Sequence, residues 1–220
     1  MSNTVAVTGA AGFIGRWVVA ELLDRGHAVY GLDDFSNGSR RNIAAFDDND
    51  DFHIIGGDVC SEEAVDELFE HDPDTCIHLA AEIDVQESLE DPHAHFESNL
   101  VGTHNVLEAC RHNETRLGLV GTCMVYDMVD SAAGISEDHP TKPASPYAGS
   151  KLAAEDLAEG YYHGYDLPVT ILRPFNTYGP YQKTGMAGGV VSIFTSRDLN
   201  DEPLKIFGDG TQTRDLLYAN

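Results

Sequence analysis

Short apolar runs alternate along the chain with amphipathic segments, and this alternation predicts strands that are separated by helices. The β-rich runs lie at residues 4–8, 28–32, 52–55, 75–79, 117–121 and 169–172. Apolar residues recur at helical spacing in the intervening segments 13–25, 61–70, 94–111 and 147–162. Strands that alternate with helices of this length are typical of a parallel sheet covered on both faces. The pattern therefore predicts an α/β fold with a doubly wound parallel sheet.

The regular alternation ends soon after the last of these strands. Glycine, proline and short mixed segments dominate the chain after residues 173–176. We therefore predict one domain over residues 1–178 and the beginning of a smaller lobe over residues 179–220. Residues 216–218 read as a strand with no terminating signal after it, so we expect the chain to be a fragment of a longer protein.

A glycine-rich motif links the first predicted strand to the first predicted helix. Gly9 would permit a tight turn, Gly12 a close approach of the backbone to a pyrophosphate, and Gly15 close packing of helix against strand. The helix N-terminus would offer free N–H groups and a positive dipole end to the phosphates. The motif predicts a Rossmann-type dinucleotide site.

Two aspartates follow the second and third predicted strands. Asp33 ends the second strand, where a carboxylate accepts hydrogen bonds from the adenosine ribose hydroxyls and repels a 2′-phosphate. This position favours NAD over NADP. Asp58 is placed to meet the adenine amino group, or else to serve as a helix cap or turn residue.

Tyr147 and Lys151 lie four residues apart on a predicted helix. Positions i and i+4 share one helical face, so the Lys151 ammonium is expected beside the Tyr147 phenol. We expect this cation to lower the pKa of the phenol and make it a base for a sugar or alcohol hydroxyl. Together with the glycine motif, the pair predicts an enzyme.

The composition is strongly acidic, with 37 acidic residues, 13 basic ones and a formal net charge of −24. Such a surface repels nucleic acid and anionic membranes, which we exclude as partners. Few lysines and many aspartates are typical of halophilic proteins from a salt-loaded cytoplasm, where ions screen self-repulsion. No span or signal segment is visible, so we expect a soluble, cytoplasmic protein. The cysteine and histidine spacings predict neither a disulfide framework nor a metal site.

Several further motifs make the chain similar to a known family, the extended short-chain dehydrogenase/reductases, and within it to the NAD-dependent nucleotide-sugar epimerases and dehydratases. The resemblance covers essentially the whole chain. It depends on the motifs Thr8-Gly9-Ala10-Ala11-Gly12-Phe13-Ile14-Gly15, Gly57-Asp58-Val59, His78-Leu79-Ala80-Ala81-Glu82, Asn99-Leu100-Val101-Gly102-Thr103, Ser145-Pro146-Tyr147-Ala148-Gly149-Ser150-Lys151, Arg173-Pro174-Phe175-Asn176-Thr177-Tyr178-Gly179-Pro180 and Gly208-Asp209-Gly210-Thr211-Gln212-Thr213-Arg214-Asp215.

The resemblance implies a role for each matching residue. Tyr147 would be the base at the sugar C4 hydroxyl, Lys151 would hold the nicotinamide ribose, and Thr122 would orient the hydroxyl. The residues expected to bind substrate are Glu82, Met124, Asn176 and Arg214, the last two at the diphosphate. The motifs and the resemblance together place the NAD-binding residues at Gly9, Gly12, Phe13, Ile14, Gly15, Asp33, Asp34, Asn37, Asp58, Val59, Leu79, Ala80, Ala81, Asn99, Tyr147 and Lys151.

The two residues after Thr122 bear on the type of reaction. In the 4,6-dehydratases of the family this stretch is Thr-Asp-Glu, with an acid and a base, whereas this chain has Cys123 and Met124. Methionine cannot abstract a proton. The resemblance therefore favours a 4-epimerase of a UDP- or dTDP-linked hexose, most simply a UDP-hexose. The alternative is a sugar-nucleotide dehydratase with Cys123-Met124 in place of Asp-Glu, either of the 4,6-type or of a rarer 5,6-type in which the Cys123 thiol transfers a proton.

Two other classes of function remain open, and an assembly is expected. A non-catalytic NAD-binding sensor commonly loses one member of the Tyr–Lys pair, whereas this chain keeps both. A plain alcohol dehydrogenase or ketoreductase would not need Asn176 and Arg214 for a diphosphate. The resemblance also implies a homodimer formed through the helices near residues 94–111 and 147–162.

Overall fold

The computed structural model describes residues 3–127, 134–184 and 188–219 of the 220-residue chain. The chain folds into two compact units, Met1–Arg173 and Pro174–Asn220. The boundary between the two units thus follows Arg173, whereas the change in residue composition predicts a boundary after residue 178. The difference arises because residues 176–178 form a strand whose partner, residues 216–218, lies in the second unit.

All six strands expected from the apolar runs are present in the first unit. They are β1 (Thr4–Thr8), β2 (Ala28–Asp33), β3 (Phe52–Gly56), β4 (Thr75–His78), β5 (Arg116–Val120) and β6 (Val169–Leu172). Its α-helices are α1 (Phe13–Asp24), α2 (Arg40–Ile43), α3 (Glu62–Phe69), α4 (Val85–Glu90), α5 (Pro92–Phe96), α6 (Gly102–His112) and α7 (Pro146–Tyr165).

The six strands form one parallel sheet in the order β3-β2-β1-β4-β5-β6. The chain crosses from one half of the sheet to the other between β3 and β4, which leaves β1 beside β4 at the centre. In an open parallel sheet, ligands bind in the crevice outside the carboxyl ends of the strands at such a reversal. The predicted doubly wound, Rossmann-type fold is therefore confirmed.

Helices cover both faces of the sheet, as the buried positions on the central strand show. Val5 and Val7 point to one face, where they pack with Val19 and Ile43 of the helices α1 and α2. Ala6 points to the opposite face and belongs to the core that also contains buried side chains of α3, α6 and α7. Because both faces are covered, the strands are apolar along their length rather than alternating.

The predicted helix over residues 94–111 contains a turn of different pitch. Helix α5 passes into a π-helical turn at residues 97–101 and then into α6. A π turn places an extra residue in the helix and is common at functional sites. Asn99, one of the predicted NAD-binding residues, lies within this turn and is fully buried.

The second unit contains β7 (Asn176–Tyr178), α8 (Val190–Leu199) and β8 (Leu216–Tyr218). β7 and β8 form a two-stranded parallel sheet in which Asn176 is paired with Leu216. The predicted strand at residues 216–218 is therefore present. Across the described residues of both units, none of the helices combines the length and the apolar character needed to cross a membrane.

Candidate active site

The glycine motif forms a turn into which side chains would not fit. Gly9 has a φ of +68°, and a Cβ atom there would lie 2.8 Å from the backbone nitrogen of Ala80. A Cβ atom on Gly15 would overlap with the carbonyl oxygen of Gly9. Gly12 is the N-cap of α1 and supplies no side-chain cap, so the first turn of this helix keeps N–H groups available for an anion.

Polar residues from the segment after β2 hold the glycine turn in place. The Ala11 N–H donates to Asp33 Oδ2 at 2.8 Å. The Ala11 carbonyl oxygen accepts from Asn42 Nδ2 at 2.7 Å and from the Ser39 N–H at 3.0 Å. Asn42 and Ser39 were missed from the sequence because their partner is a backbone atom, which no side-chain pattern reveals.

Asp33 is buried at the end of β2, where its carboxylate was predicted to meet the adenosine ribose. Its second oxygen accepts from the Phe35 N–H at 2.8 Å. Burial raises the pKa of Asp33, while the hydrogen bonds from the Phe35 and Ala11 N–H groups lower it. A carboxylate has about four lone-pair sites, so lone pairs remain for ribose hydroxyls. A 2′-phosphate at this buried carboxylate would meet a like charge, which fits NAD and not NADP.

The remaining adenosine-side candidates lie in hydrogen-bonded turns. Asp34 Oδ1 accepts from the backbone and side chain of Ser36. Asp58 Oδ1 accepts from the Cys60 N–H at 2.9 Å, so the turn role considered for Asp58 is present, and the adenine contact stays a prediction. Val59 is buried against Gly102, where a Cβ atom would lie 2.6 Å from the Val59 side chain.

Asn99 connects the loop after β4 to the helix of the Tyr–Lys pair. Its Oδ1 accepts from the Glu82 N–H at 2.8 Å, and its Nδ2 donates to the Glu82 carbonyl oxygen at 3.0 Å. The same Nδ2 donates to Ser150 Oγ at 3.0 Å, and that hydroxyl donates to the Tyr147 carbonyl oxygen at 2.8 Å. Ser150 was not singled out from the sequence, although it lies within the Tyr-x-x-x-Lys motif.

The loop at Leu79–Ala81 begins with hydrogen bonds to a threonine of the central strand. Thr8 Oγ1 accepts from the Leu79 N–H at 3.1 Å and from the Ala80 N–H at 3.2 Å. It also lies 2.6 Å from His78 Nδ1, and His78 Nε2 lies 3.0 Å from Thr103 Oγ1. Burial, together with the charge of Lys151, lowers the pKa of His78 to about 3. His78 is therefore neutral, and its two ring nitrogens connect the central strand to α6.

Tyr147 and Lys151 lie in the first two turns of α7, and local sequence signals define where this helix begins. Pro146 occupies the first turn, and the N-cap Ser145 accepts from the Ala148 N–H at 3.1 Å. Tyr147 is 8% exposed and Lys151 only 3% exposed. The ring of His95 packs edge-on against Tyr147, with centroids 6.2 Å apart.

The electrostatics of the pair differ from the expectation. Burial raises the pKa of Tyr147, and a hydrogen-bonding interaction with Thr122 lowers it, while the Cys123 thiol acts to raise it. Lys151 is not among the groups that shift it, so the expected lowering of the phenol pKa by Lys151 was wrong. The physical reason is that burial penalises the phenolate in this protein more than its neighbours favour it. Burial also lowers the pKa of Lys151 to about 8, against the opposing charge of Glu155.

The segment after β5 brings three further candidates to the site. Thr122 Oγ1 accepts from the Met124 N–H at 3.2 Å, which fixes the short 3₁₀ turn at Cys123–Val125. The Thr122 side chain interacts with the Tyr147 phenol, and its role in orienting a sugar hydroxyl stays a prediction. Burial raises the pKa of the Cys123 thiol, and its side chain is only partly accessible. Met124 is 43% exposed.

The other substrate-binding candidates fall into two places. Glu82 lies in the first unit, where its carboxylate accepts from Asn37 Nδ2 at 2.9 Å and thereby connects two loops predicted to bind the cofactor. Asn176 and Arg214 lie in the second unit. Asn176 Nδ2 donates to the Asp215 carbonyl oxygen at 3.0 Å, so β7 and β8 bring together two residues that are far apart in sequence. The Arg214 guanidinium donates to the Thr213 carbonyl oxygen at 2.7 Å.

No group of three or more His, Cys, Asp or Glu residues that could hold a metal ion occurs among the residues whose positions the structure describes. The four cysteines are all free thiols.

The site geometry agrees with the comparison against known families. The family model described as NAD dependent epimerase/dehydratase matches residues 5–220. The chain belongs to the NAD-dependent epimerase/dehydratase family. The resemblance drawn from the motifs is thus confirmed, and so is the predicted cofactor, NAD, which the family description names.

Individual members of the epimerase/dehydratase family share the fold closely. A structure of Pal from Bacillus thuringiensis is 51% identical with a TM-score of 0.95, over 98% of this chain and 70% of that one. A UDP-glucose 4-epimerase of Thermus thermophilus in complex with NAD is 38% identical with a TM-score of 0.90, over 98% of this chain and 70% of that one.

Curated members of the family include both epimerases and dehydratases. A UDP-glucose 4-epimerase of Mycolicibacterium smegmatis is 39% identical over 97% of this chain and 69% of its own length. A dTDP-glucose 4,6-dehydratase of Xanthomonas campestris is 35% identical over 99% of this chain and 64% of its own length. The chain therefore spans about two thirds of the length of these relatives.

Proposed function

We propose that this family member is an NAD-dependent nucleotide-sugar 4-epimerase, most simply of a UDP-hexose, that acts by transient oxidation at C4 of the sugar. The proposal is carried by one observation. Tyr147, Lys151 and Thr122 converge beside the carboxyl end of the sheet, while Cys123 and Met124 occupy the positions where a 4,6-dehydratase has an acid and a base. Similarity to UDP-glucose 4-epimerases supports it.

The residues of the first unit suit NAD. The uncapped first turn of α1 would hold the pyrophosphate, and the Asp33 carboxylate would hold the adenosine ribose. Gly9 and Gly15 leave the room that a Cβ atom would fill. Lys151 would hold the nicotinamide ribose. When bound, oxidised NAD supplies a hydride acceptor, which is the chemistry that oxidation of a carbinol requires.

In its phenolate form, Tyr147 Oη takes the proton from the C4 hydroxyl of the sugar and later returns it. Because burial raises the pKa of this phenol, the active fraction increases with pH. Thr122, whose side chain interacts with this phenol, orients the sugar hydroxyl. The buried position of both groups excludes water from the proton transfer, so the proton is exchanged between phenol and sugar rather than with solvent. Inversion then requires only that the sugar present the opposite face of C4, with no proton removed at C5.

The side chains after Thr122 favour epimerisation over elimination. Elimination needs a group that removes the C5 proton, and the Met124 thioether cannot accept one. The Cys123 thiol could act only as a thiolate, and burial raises its pKa, so the thiol is the prevailing form near neutral pH. Neither residue therefore obstructs an epimerase, which needs no second base.

A second candidate function is a dehydratase of the 5,6-type, for which the Cys123-Met124 pair is the specific observation. We predict that Cys123→Ala changes the kcat of the epimerase by less than about threefold, because the thiol takes no part in proton transfer. In a dehydratase that uses this thiol, loss of a proton carrier would lower kcat by about a hundredfold or more. The measurement is kcat on the sugar nucleotide that the wild-type protein turns over.

Analysis of the product by NMR tests the proposed reaction directly. The protein is incubated with UDP-glucose or with UDP-N-acetylglucosamine. An epimerase yields the sugar nucleotide with inverted configuration at C4, which shows as a changed H3–H4 coupling. New vinylic proton signals would replace the epimerase proposal with the dehydratase. An unchanged substrate in the presence of bound NAD would support the non-catalytic sensor, against which the retained Tyr147 and Lys151 argue.

We propose Asn176 and Arg214 as the residues that bind the substrate diphosphate. The pairing of β7 with β8 places the Asn176 amide beside Asp215, adjacent in sequence to Arg214. An amide donor and a planar guanidinium are suited to phosphate oxygens. In a chain with a net charge of −24, such a local positive group is needed to hold a diphosphate.

We also propose that the protein forms a homodimer in a salt-loaded cytoplasm. A shallow, mainly apolar groove between the segment 97–112 and α7 offers a surface for a second copy, lined by Leu100, Val101, His104, Ala153, Asp156 and Leu157. Two protomers of charge −24 repel each other at low salt. We therefore predict a dimer by light scattering in about 2 M KCl, where the Debye length is only about 2–3 Å, and dissociation in about 0.05 M KCl. A monomer at both salt concentrations would contradict the dimer.

A further inference from the structure

A buried ion pair lies one helical turn beyond Lys151. Arg173, the last residue of the first unit, donates to Glu155 Oε2 from Nε at 2.8 Å, and its NH2 group lies 2.7 Å from the same oxygen. Glu155 is only 2% exposed. The Arg173 guanidinium also packs over the ring of Tyr126, 4.8 Å from its centroid. The pair is thus anchored between α7 and the end of β6.

Arg173 occupies only one of the two carboxylate oxygens. Glu155 Oε1 is buried and accepts no hydrogen bond from any residue that the structure describes. This oxygen fills the space above Gly121, where a Cβ atom would overlap with it. Gly121 directly precedes Thr122, so the carboxylate lies against the segment that orients the reacting hydroxyl. A buried carboxylate oxygen without a donor is costly unless a cation lies near.

Lys151 is the cation that faces this carboxylate along α7. Residues i and i+4 share a helical face, and Lys151 is almost fully buried. Burial lowers its pKa to about 8, and the charge of Glu155 acts in the opposite direction. Among the residues that the structure describes, the ionisable groups that interact with Lys151 are His78 of β4 and Glu155 of α7, and Tyr147 shares the same helical face. His78 is neutral near neutral pH, so Glu155 is the group whose negative charge acts on Lys151. Burial raises the pKa of Glu155, while the hydrogen bond and charge of Arg173 and the charge of Lys151 lower it.

We propose that Glu155 is a positioning residue that keeps Lys151 in its ammonium form, with Arg173 holding the Glu155 carboxylate in its ionised state. This inference depends on the proposed function for its effect on turnover, but the protonation of Lys151 can be measured without any substrate. The ammonium form is required because it donates three hydrogen bonds and carries a charge, whereas a neutral amine has one donor fewer and no charge. Glu155 is not itself placed to touch the sugar.

The small number of lysines makes the protonation of Lys151 directly observable. The chain contains four lysines, and the other three (Lys142, Lys183 and Lys205) are exposed. In the purified holoprotein labelled with [ε-13C]lysine, NMR should show one signal, from Lys151, that titrates at a lower pH than a lysine ordinarily does. We expect Glu155→Gln to lower the midpoint of that one signal by roughly one pH unit, as for the loss of a nearby opposite charge. An unchanged midpoint in a folded variant would overturn the proposal.

Two further variants separate the charge of Glu155 from its packing. Glu155→Asp retains the negative charge and should leave the Lys151 midpoint within a few tenths of a pH unit of the wild-type value. Arg173→Gln removes the cation that keeps Glu155 ionised, so the Lys151 midpoint should fall, in the same direction as in Glu155→Gln. If Glu155→Gln does not fold, Arg173→Gln decides alone, because a Lys151 midpoint that does not fall in that variant would contradict the proposal.

The pH dependence of turnover supplies a second measurement. If turnover requires the Lys151 ammonium, kcat follows the fraction of Lys151 that is protonated. A variant whose Lys151 midpoint is one pH unit lower should lose kcat about twofold at one pH unit below the wild-type midpoint. At the wild-type midpoint itself the loss should be about fivefold. The loss should therefore grow with pH, with KM for the sugar nucleotide nearly unchanged. A loss of kcat that is equal at every pH would indicate a merely structural role and would contradict the proposal.

Discussion

Tyr147→Phe is expected to abolish epimerase turnover while the protein remains folded and retains NAD. The substitution removes only the hydroxyl, which is the group proposed to take the proton from the C4 hydroxyl. Loss of a general base typically costs about 10²–10⁴-fold in rate. The phenyl ring keeps its place beside His95, so the packing of the first turns of α7 is preserved. The measurement is kcat on the nucleotide sugar, with NAD content determined after release from the protein.

A matched control is available on the same helix. Tyr162 is 52% exposed and lies far along α7 from Tyr147. Tyr162→Phe removes the same hydroxyl group and should leave both kcat and NAD content unchanged. If Tyr147→Phe keeps more than a few per cent of wild-type activity, Tyr147 is not the base, and Thr122 or a solvent molecule must accept the proton.

Gly15→Ala is expected to remove the cofactor and to destabilise the protein. A Cβ atom on Gly15 would overlap with the Gly9 carbonyl oxygen and lie 3.0 Å from Ala10 Cα. Both are backbone atoms at the end of β1, so no side-chain rotation relieves the overlap, and α1 must move away from the turn. Overpacking of this kind costs about 1–3 kcal/mol of unfolding free energy. Denaturant unfolding and NAD content after purification measure the two effects.

The control for Gly15→Ala is the same substitution on an open helical surface. A Cβ atom on Gly160 of α7 would meet no atom within 4 Å. Gly160→Ala should therefore stabilise the protein, by about 0.4–1 kcal/mol, because alanine restricts the unfolded chain. Should Gly15→Ala bind NAD as wild type does, the turn would not have the close helix–strand contact that the structure shows.

The elements that could be predicted from sequence are those controlled by neighbouring residues. The six apolar runs became the six strands, because a run of β-branched and aliphatic residues favours an extended chain wherever it is buried. Ser61 caps α3, and Ser145 with Pro146 begins α7. The domain boundary does not depend on neighbouring residues alone, because the partner of β7 lies some forty residues further along the chain.

Within the candidate site, sequence motifs predicted the residues proposed to carry chemistry but not those that hold them in place. Asn99 was placed in the cofactor loop, yet its connection through Ser150 to Tyr147 follows from the packing of the π turn against α7. The Glu155–Arg173 pair joins α7 to the end of β6 and has no signature in either segment. Long-range hydrogen bonds depend on which elements become neighbours, and a linear pattern does not contain that information.

The sequence by itself therefore determined the α/β class, the glycine turn for a dinucleotide and the shared helical face of Tyr147 and Lys151. These depend on residue type and spacing within one or two turns of the chain. Only the tertiary structure decided the protonation behaviour of that pair. The pKa of a side chain responds to how much water the surrounding elements remove, and around α7 that burial raises the pKa of Tyr147 and lowers that of Lys151.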